Sequence, residues 1–345
     1  MSTDRLLRSF ADLAGSEVLR AEPLCGGRNA RVWRLDLADG RTLAGKCYPQ
    51  DPRRDRLACE VLALDFLEES GMGRAPKLIA ADPDERCLLM EYVSGRTPTA
   101  TDLLDRRHGP DLLQAMADFL ADLRQAWLDG PGLEFPTASE ACLSGAAYEQ
   151  AVRHRLARLR AVADQGGEPD LAAFLDALEP ELELRAAELR AALGPDFEAE
   201  LPREQRTASP SDFGPHNARL TEKGLVFLDF EYFGQDDPAK LLADTLLHPG
   251  SVGDLPEEAV ADLRVRLALA LGGAEVERRA GLVLPLTGLK WCLILLNEFL
   301  DAGLARREFA ADREIDPRTA RAEQLAKARN MLNTVRAMPR QGDPA

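Results

Sequence analysis

The chain has 345 residues, 45% of them hydrophobic and 29% charged, with a formal net charge of −15 at pH 7. That length is ample for a sizeable core in one large domain or two lobes, and the composition is that of an ordinary soluble globular protein. So acidic a chain shows no basic face of the kind a phosphate backbone demands, which excludes a nucleic-acid partner and leaves room for a small, even cationic, substrate; solubility alone accounts for the same charge.

The first fifteen residues carry charges throughout and offer neither an apolar run nor a small-residue cleavage site. No secretory signal is therefore expected, and the cytoplasm is the expected compartment. Up to about residue 92 short β-like runs alternate with turns, at 18–24, 31–37, 42–48, 77–81 and 87–93. Val32, Trp33, Leu35 and Leu37 partly alternate, and Asp39-Gly40 supplies a hairpin turn into the next run, which predicts an antiparallel sheet. One helix is predicted over 53–70, where Leu57, Val61 and Leu64 recur at helical spacing and Gly71 ends the run. Glu60 shares the inward face of that helix, and a carboxylate turned toward the sheet requires a cation.

Beyond Ser94-Gly95 long helical periodicities take over, at 111–129, 140–164, 171–193, 257–271, 282–304 and 318–338, with fraying expected after Met338. The expected division is a sheet-rich unit, 1–94, followed by a larger and mostly helical unit, 95–345. The most apolar stretch, 282–300, is interrupted by Pro285, Gly288, Lys290, Asn297 and Glu298, so it reads as a buried helix and no membrane partner is expected. Six cysteines, Cys25, Cys47, Cys59, Cys87, Cys142 and Cys292, lack CxxC spacing and read as reduced core thiols.

One β-rich island, 205–233, breaks the helices, and the chemistry concentrates there. In it Asp212 and Asn217 flank a loop rich in Gly and Pro, two short strands join at Glu222-Lys223-Gly224, and Asp229 closes the second strand. Phosphoryl transfer needs a carboxylate to orient the attacking hydroxyl and oxygen ligands to hold Mg²⁺ against the transferring phosphate. Those three residues supply both. Upstream, Lys46 occupies the third strand where alternation calls for an apolar residue, and Glu60 follows on the helix. A lysine over the nucleotide phosphates, locked by a helix glutamate, is the other half of a kinase apparatus. Each piece has a bland reading, since Asp and Asn are common turn residues and a strand lysine can snorkel from an edge; their conjunction points to a kinase.

The sequence resembles the aminoglycoside phosphotransferase family, small-molecule kinases of bilobal protein-kinase-like fold, over nearly the whole chain. Carrying the resemblance are Gly26-Gly27-Arg28-Asn29 with RVWRL, Lys46, Glu60, LLMEYVSG, SPSDFGPHN and FLDFEYFGQDDPAKLLAD. It implies an α+β fold and an ATP- and Mg²⁺-dependent transfer to a hydroxyl of a small molecule such as an aminoglycoside, sugar, amino alcohol or nucleoside. It further implies that Lys46 and Glu60 form the phosphate-binding ion pair, with Gly26 and Gly27 close to the phosphates. By the same resemblance Glu91, Tyr92 and Val93 form the adenine hinge, Asp212 is the base, Asn217 and Asp229 hold the metal, and Glu231 supports the metal or the loop.

Family members usually carry His-Gly before the catalytic aspartate, where this chain has Pro210-Ser211. That departure and the unusual glycine loop motivate an alternative, a pseudokinase or ATP-binding interaction module without transfer. A protein kinase would need an activation segment after Asp229, for which the chain leaves no room. His216 is expected to hydrogen-bond locally rather than act as the base, and Asp244 to be a structural carboxylate. Lys290, Asn297 and Asp301, with Glu298 beside them, form a polar stripe that lines an acceptor pocket or a solvated face.

Overall fold

Leu6, Phe10 and Ala14 recur along one face of the first helix, α1 (Thr3–Ala14), and all three are buried against the sheet that follows. The computed structural model describes residues 3–24, 29–51, 54–130, 135–311 and 315–340. The sheet is antiparallel and comprises β1 (Val18–Leu24), β2 (Arg31–Leu37), β3 (Thr42–Cys47), β4 (Leu78–Asp82) and β5 (Cys87–Glu91), in the order β1-β2-β3-β5-β4. In β2 the alternation resolves into buried Trp33, Leu35 and Leu37, which pack with Phe10 of α1. At Gly45 of β3 a Cβ would meet the Phe10 ring at 2.7 Å, so glycine there lets the helix lie directly on the strand.

Helix α2 (Arg56–Glu69) starts at Asp55, whose side chain accepts from the Ala58 amide at 2.9 Å. It ends at Ser70, and Gly71 follows with φ +72°. Leu57, Leu64 and Leu67 face the interior with Glu60 among them, fully buried.

After β5 the chain turns helical, with α3 (Ala100–Leu104), α4 (Gly109–Asp129), α5 (Gly145–Asp164) and α6 (Pro169–Leu193). The island that follows holds β6 (Thr207–Ser209), β7 (Ala218–Thr221), β8 (Gly224–Phe227) and β9 (Gly234–Asp236), paired as β6 with β9 and β7 with β8. Then come α7 (Pro238–Leu247), α8 (Pro249–Val252), α9 (Glu257–Leu271), α10 (Ala274–Leu295), α11 (Asp301–Ala311) and α12 (Pro317–Ala337). Phe119 of α4 packs on Phe213, Phe227 and Phe230, which fastens the island to the helices. Asp237 caps α7 and is gripped by Arg279 of α10 at 2.7 Å and the Tyr148 hydroxyl of α5 at 3.0 Å.

The apolar segment Ala274–Phe299 is long and apolar enough to cross a membrane, yet it lies largely buried against α5, α7 and α12, as a core helix does. It is not one helix to residue 304. α10 stops at Leu295, a 3₁₀ turn covers Asn297–Phe299, and α11 starts anew at Asp301. Cys47, Cys59, Cys87, Cys142 and Cys292 are free and buried; Cys25 lies outside the described residues. Most of the tail after Met338, residues 341–345, lies outside them as well.

Candidate active site

Lys46 is the junction of the two parts of the chain. On β3 it is 4% exposed, and its Nζ donates to Glu60 Oε2 of α2 and to Asp229 Oδ1 beyond β8, both at 2.6 Å. Burial opposes its charge, but Asp229, Glu60 and Glu231 outweigh that and hold its pKa far above the ordinary lysine value. The Tyr48 hydroxyl donates a short bond to the same Glu60 oxygen. Glu231, fully buried, accepts from Arg56 Nη1 at 2.7 Å, and the same nitrogen lies 2.5 Å from the Tyr232 hydroxyl. Burial and then the Asp229 carboxylate push the Glu231 carboxyl up to about 7, against the pull of Lys46 and Arg56. Glu60 Oε1 and Glu231 Oε2 are buried without a hydrogen-bond partner. Carboxylate oxygens of Glu60, Asp229 and Glu231 gather within 4.8 Å of one another.

Asp212 follows β6 on the other side of the cleft. Its Oδ1 lies 2.9 Å from His216 Nε2 and 3.7 Å from His248 Nε2, and the two imidazoles stack at 4.0 Å. Burial pushes the Asp212 carboxyl up, but the His216 hydrogen bond and the neighbouring imidazoles more than offset it, leaving the pKa below the usual aspartate value. Asn217 Nδ2 donates to the Asp212 carbonyl at 3.0 Å. Ser209 Oγ accepts from the Ser211 amide at 3.0 Å, and Ser211 Oγ donates to the Ser139 carbonyl at 3.1 Å. These bonds hold the loop at the place where Pro210-Ser211 stands. Ser211 and Asp229 both adopt left-handed backbone, with φ 66° and 67°, a strain of order 1–3 kcal/mol each that concentrates at functional sites. At Gly214 a Cβ would lie 2.0 Å from Ser251 Oγ, so glycine allows α8 to approach and bring His248 to Asp212.

A cleft of about 1030 Å³ takes in Lys46, Tyr92, Val93, Asp212, Asn217 and Asp229. Glu91, at the end of β5, and Leu24 of β1 also line it. Gly26 and Gly27 lie outside the described residues.

Residues 20–282 match the Phosphotransferase enzyme family. The chain belongs to that family. Comparison with curated protein sequences gives no match. Among solved structures, the gentamicin-APH(2")-IIa complex superposes with a TM-score of 0.65, at 15% identity over 96% of each chain. The ADP-bound aminoglycoside phosphotransferase APH(2'')-Ib gives 0.59, at 13% identity over 97% of this chain and 99% of that one. An ethanolamine kinase of Plasmodium vivax gives 0.59, at 13% identity over 94% of this chain and 85% of that one. At such identities the likeness is one of fold, and the fold is the bilobal protein-kinase-like one of the small-molecule kinases.

For this phosphotransferase family member the structure adds residues that periodicity does not flag. His248 reaches Asp212 from a different element, packs edge-on against Trp291, and Trp291 Nε1 donates to Asp244 at 2.9 Å. Asp244 is 5% exposed and held by Lys240 and Lys290, each at 2.9 Å, so it ties α7 to α10. Burial raises its pKa, the two lysines lower it further, and it comes to about 2. Of the polar stripe, Lys290, Asn297 and Glu298 line the cleft. Asp301 is exposed and does not line it, because the break after Leu295 shifts the helical phase.

Proposed function

We propose that this phosphotransferase transfers the γ-phosphoryl group of ATP, with Mg²⁺, to a hydroxyl of a small molecule. One observation carries the reading: a buried lysine of the sheet is shared at 2.6 Å by a helix glutamate and by Asp229, with Asp212 in the same cleft. The ADP in the matched aminoglycoside phosphotransferase supports the nucleotide. In this reading residues 1–94 form the nucleotide lobe, residues 95–345 the acceptor lobe, and Glu91, Tyr92 and Val93 meet the adenine between them.

Asn217 and Asp229 fit Mg²⁺, which takes hard oxygen donors. Asn217 has its amide nitrogen on the Asp212 carbonyl, leaving its amide oxygen for a cation, and Asp229 has one oxygen on Lys46 and a second to offer. When bound, the ion supplies neutralisation of phosphate charge. Lys46 exchanges Asp229 for phosphate oxygens while Glu60 keeps its ammonium in place. Asp212, kept ionised at neutral pH and oriented by His216, accepts the hydrogen bond of the acceptor hydroxyl and takes its proton as the new O–P bond forms. The bond from the γ-phosphorus to the β-γ bridging oxygen breaks, and ADP leaves.

The test is incubation with a metabolite pool, γ-labelled ATP and Mg²⁺, with mass spectrometry of labelled products. A protein that is stabilised by MgATP yet labels nothing in any pool fraction would speak for the binding-module alternative and against transfer.

A further inference from the structure

His248 stands between α7 and α8, at the C-terminal end of one and the N-terminal end of the other, and its ring lines the cleft. That ring is fixed from three sides. Its Nδ1 accepts from the Gly250 amide at 3.0 Å. A ring nitrogen that accepts an N–H bond carries no proton of its own, so in the neutral imidazole the proton sits on Nε2. One face lies parallel to the His216 ring, with centroids 4.0 Å apart and planes within 10°, and Trp291 of α10 meets His248 edge-on at 4.8 Å. Trp291 is itself anchored, its Nε1 donating to Asp244 at 2.9 Å. Gly250 leaves no slack beneath the pair, since a Cβ there would lie 3.1 Å from both His216 Cβ and His248 Cε1.

Held in this way, the ring directs its N–H at the base. Nε2 lies 3.7 Å from Asp212 Oδ1, the same oxygen that His216 Nε2 meets at 2.9 Å. The longer separation exceeds a hydrogen bond, but contacts at a catalytic base commonly tighten when the reacting complex forms. Two imidazoles on one carboxylate oxygen set the rotation of the carboxylate and leave its other oxygen to a hydroxyl. The same three side chains also offer ligand atoms within 4.8 Å of one another, as metal sites do. A cation there would need a lone pair on His248 Nε2, and the Gly250 bond puts the proton on that nitrogen.

We propose that His248 is a positioning residue for phosphoryl transfer: its Nε2–H, aimed by the Gly250 amide and held between His216 and Trp291, turns Asp212 so that Oδ2 faces the acceptor hydroxyl. The inference rests on the phosphotransferase reading above, in which Asp212 takes the acceptor's proton, and adds to it a group that acts through Asp212. It also gives α10 a part in the reaction, because the indole that fixes His248 belongs to that helix.

Two substitutions divide the functions of the ring between them. His248→Asn keeps an oxygen that can accept from the Gly250 amide but stops short of Asp212, whereas His248→Gln puts an N–H near the place of Nε2 and gives up the Gly250 bond. Turnover is read with γ-labelled ATP and Mg²⁺, both to the acceptor that the labelling screen identifies and to water. His248→Asn is expected to lower kcat roughly 10- to 100-fold, the scale of a misplaced reacting group, with KM for ATP within about twofold of the parent, and His248→Gln to be at least about threefold faster than His248→Asn. A residue that merely caps α8 gives the reverse order, so His248→Gln no faster than His248→Asn overturns the inference, as does parental turnover in His248→Asn. A second measurement needs no turnover. The chain has four histidines, so long-range ¹H–¹⁵N correlation spectra of the full chain labelled at histidine, with His248→Asn to assign the signal, read which nitrogen carries the proton. A proton on Nε2 alone is expected, and one on Nδ1 overturns the inference. Asp212→Asn separates the two levels of the argument. If it lowers turnover and His248→Asn does not, the base stands and this inference falls; if neither lowers it, or if neither water nor any acceptor takes the label from the parent enzyme, both fall.

Discussion

Lys46 Nζ and Asp229 Oδ1 stand 2.6 Å apart although 183 positions separate the two residues. The pair fastens the sheet to the island, and it does so through a residue whose backbone is left-handed. Because the same ammonium also holds Glu60, one cation satisfies two carboxylates.

Removing that cation leaves Glu60, fully buried, with the neutral Tyr48 hydroxyl in place of a counter-charge. Breaking a buried pair from one side costs about 3–5 kcal/mol. Lys46→Met is expected to lower the unfolding free energy by about that amount and to abolish stabilisation by MgATP. Adding Glu60→Gln should recover part of the stability and none of the nucleotide binding. Urea denaturation with and without MgATP measures both, and a single variant as stable as the parent would remove the pair from the folding argument.

Asp212 is the group proposed to take the acceptor proton, so its replacement should fall on turnover rather than on nucleotide affinity. Asp212→Asn is expected to reduce kcat by roughly 10²- to 10⁴-fold with MgATP binding retained. Steady-state kinetics on an identified acceptor, paired with calorimetric titration of MgATP, reads the two separately. Parental turnover in this variant would end the base assignment.

Much of this was legible because the signals are local. β1 and β2 fall on their expected bounds, Lys46 and Glu60 stand out by their positions within β3 and α2, and Asp212, Asn217 and Asp229 by their spacing along one short island. Where a role arises from tertiary approach, the sequence is silent. Arg56 and Tyr232 meet beside Glu231 across 176 positions, and His248 reaches Asp212 only because Gly214 admits α8. α1 was not expected although its pattern is present: Leu6, Phe10 and Ala14 keep helical spacing, and Arg5, Arg8 and Asp12 recur at spacings of three and four as the polar side of an amphipathic helix does. The expected helix through residue 304 failed in another way: leucines keep recurring up to Leu304, but Asn297 and Glu298 fall in a 3₁₀ turn and the backbone starts a new helix at Asp301.

Glu231 gives a pH dependence whose sign follows from its raised pKa. The folded protein binds this proton more tightly than the unfolded chain, so its contribution to stability is complete below about pH 4.5 and is lost as pH rises through about 7. The carboxyl is fully buried, and a shift of this size corresponds to about 3 kcal/mol. Stability of the nucleotide-free protein should thus decline between pH 5 and 8, and Glu231→Gln should flatten that slope. Urea midpoints for both proteins across this range decide it; parallel slopes would mean that Arg56 and Lys46 keep the carboxylate ionised throughout.

Gly45 is required by packing rather than by chemistry. A Cβ there would lie 2.7 and 2.8 Å from two carbons of the Phe10 ring and 2.9 Å from Leu35 Cδ1. Phe10 and Leu35 are fully buried, so neither ring nor methyl can swing into solvent. Overpacking of this kind costs about 1–3 kcal/mol, and Gly45→Ala is expected to destabilise by that amount while leaving Lys46, one residue on, facing the cleft. Combining it with Phe10→Leu, which vacates the space, should cost less than the sum of the two single changes. A double variant whose loss is fully additive in denaturant titration would show that α1 and β3 do not press on each other at this point.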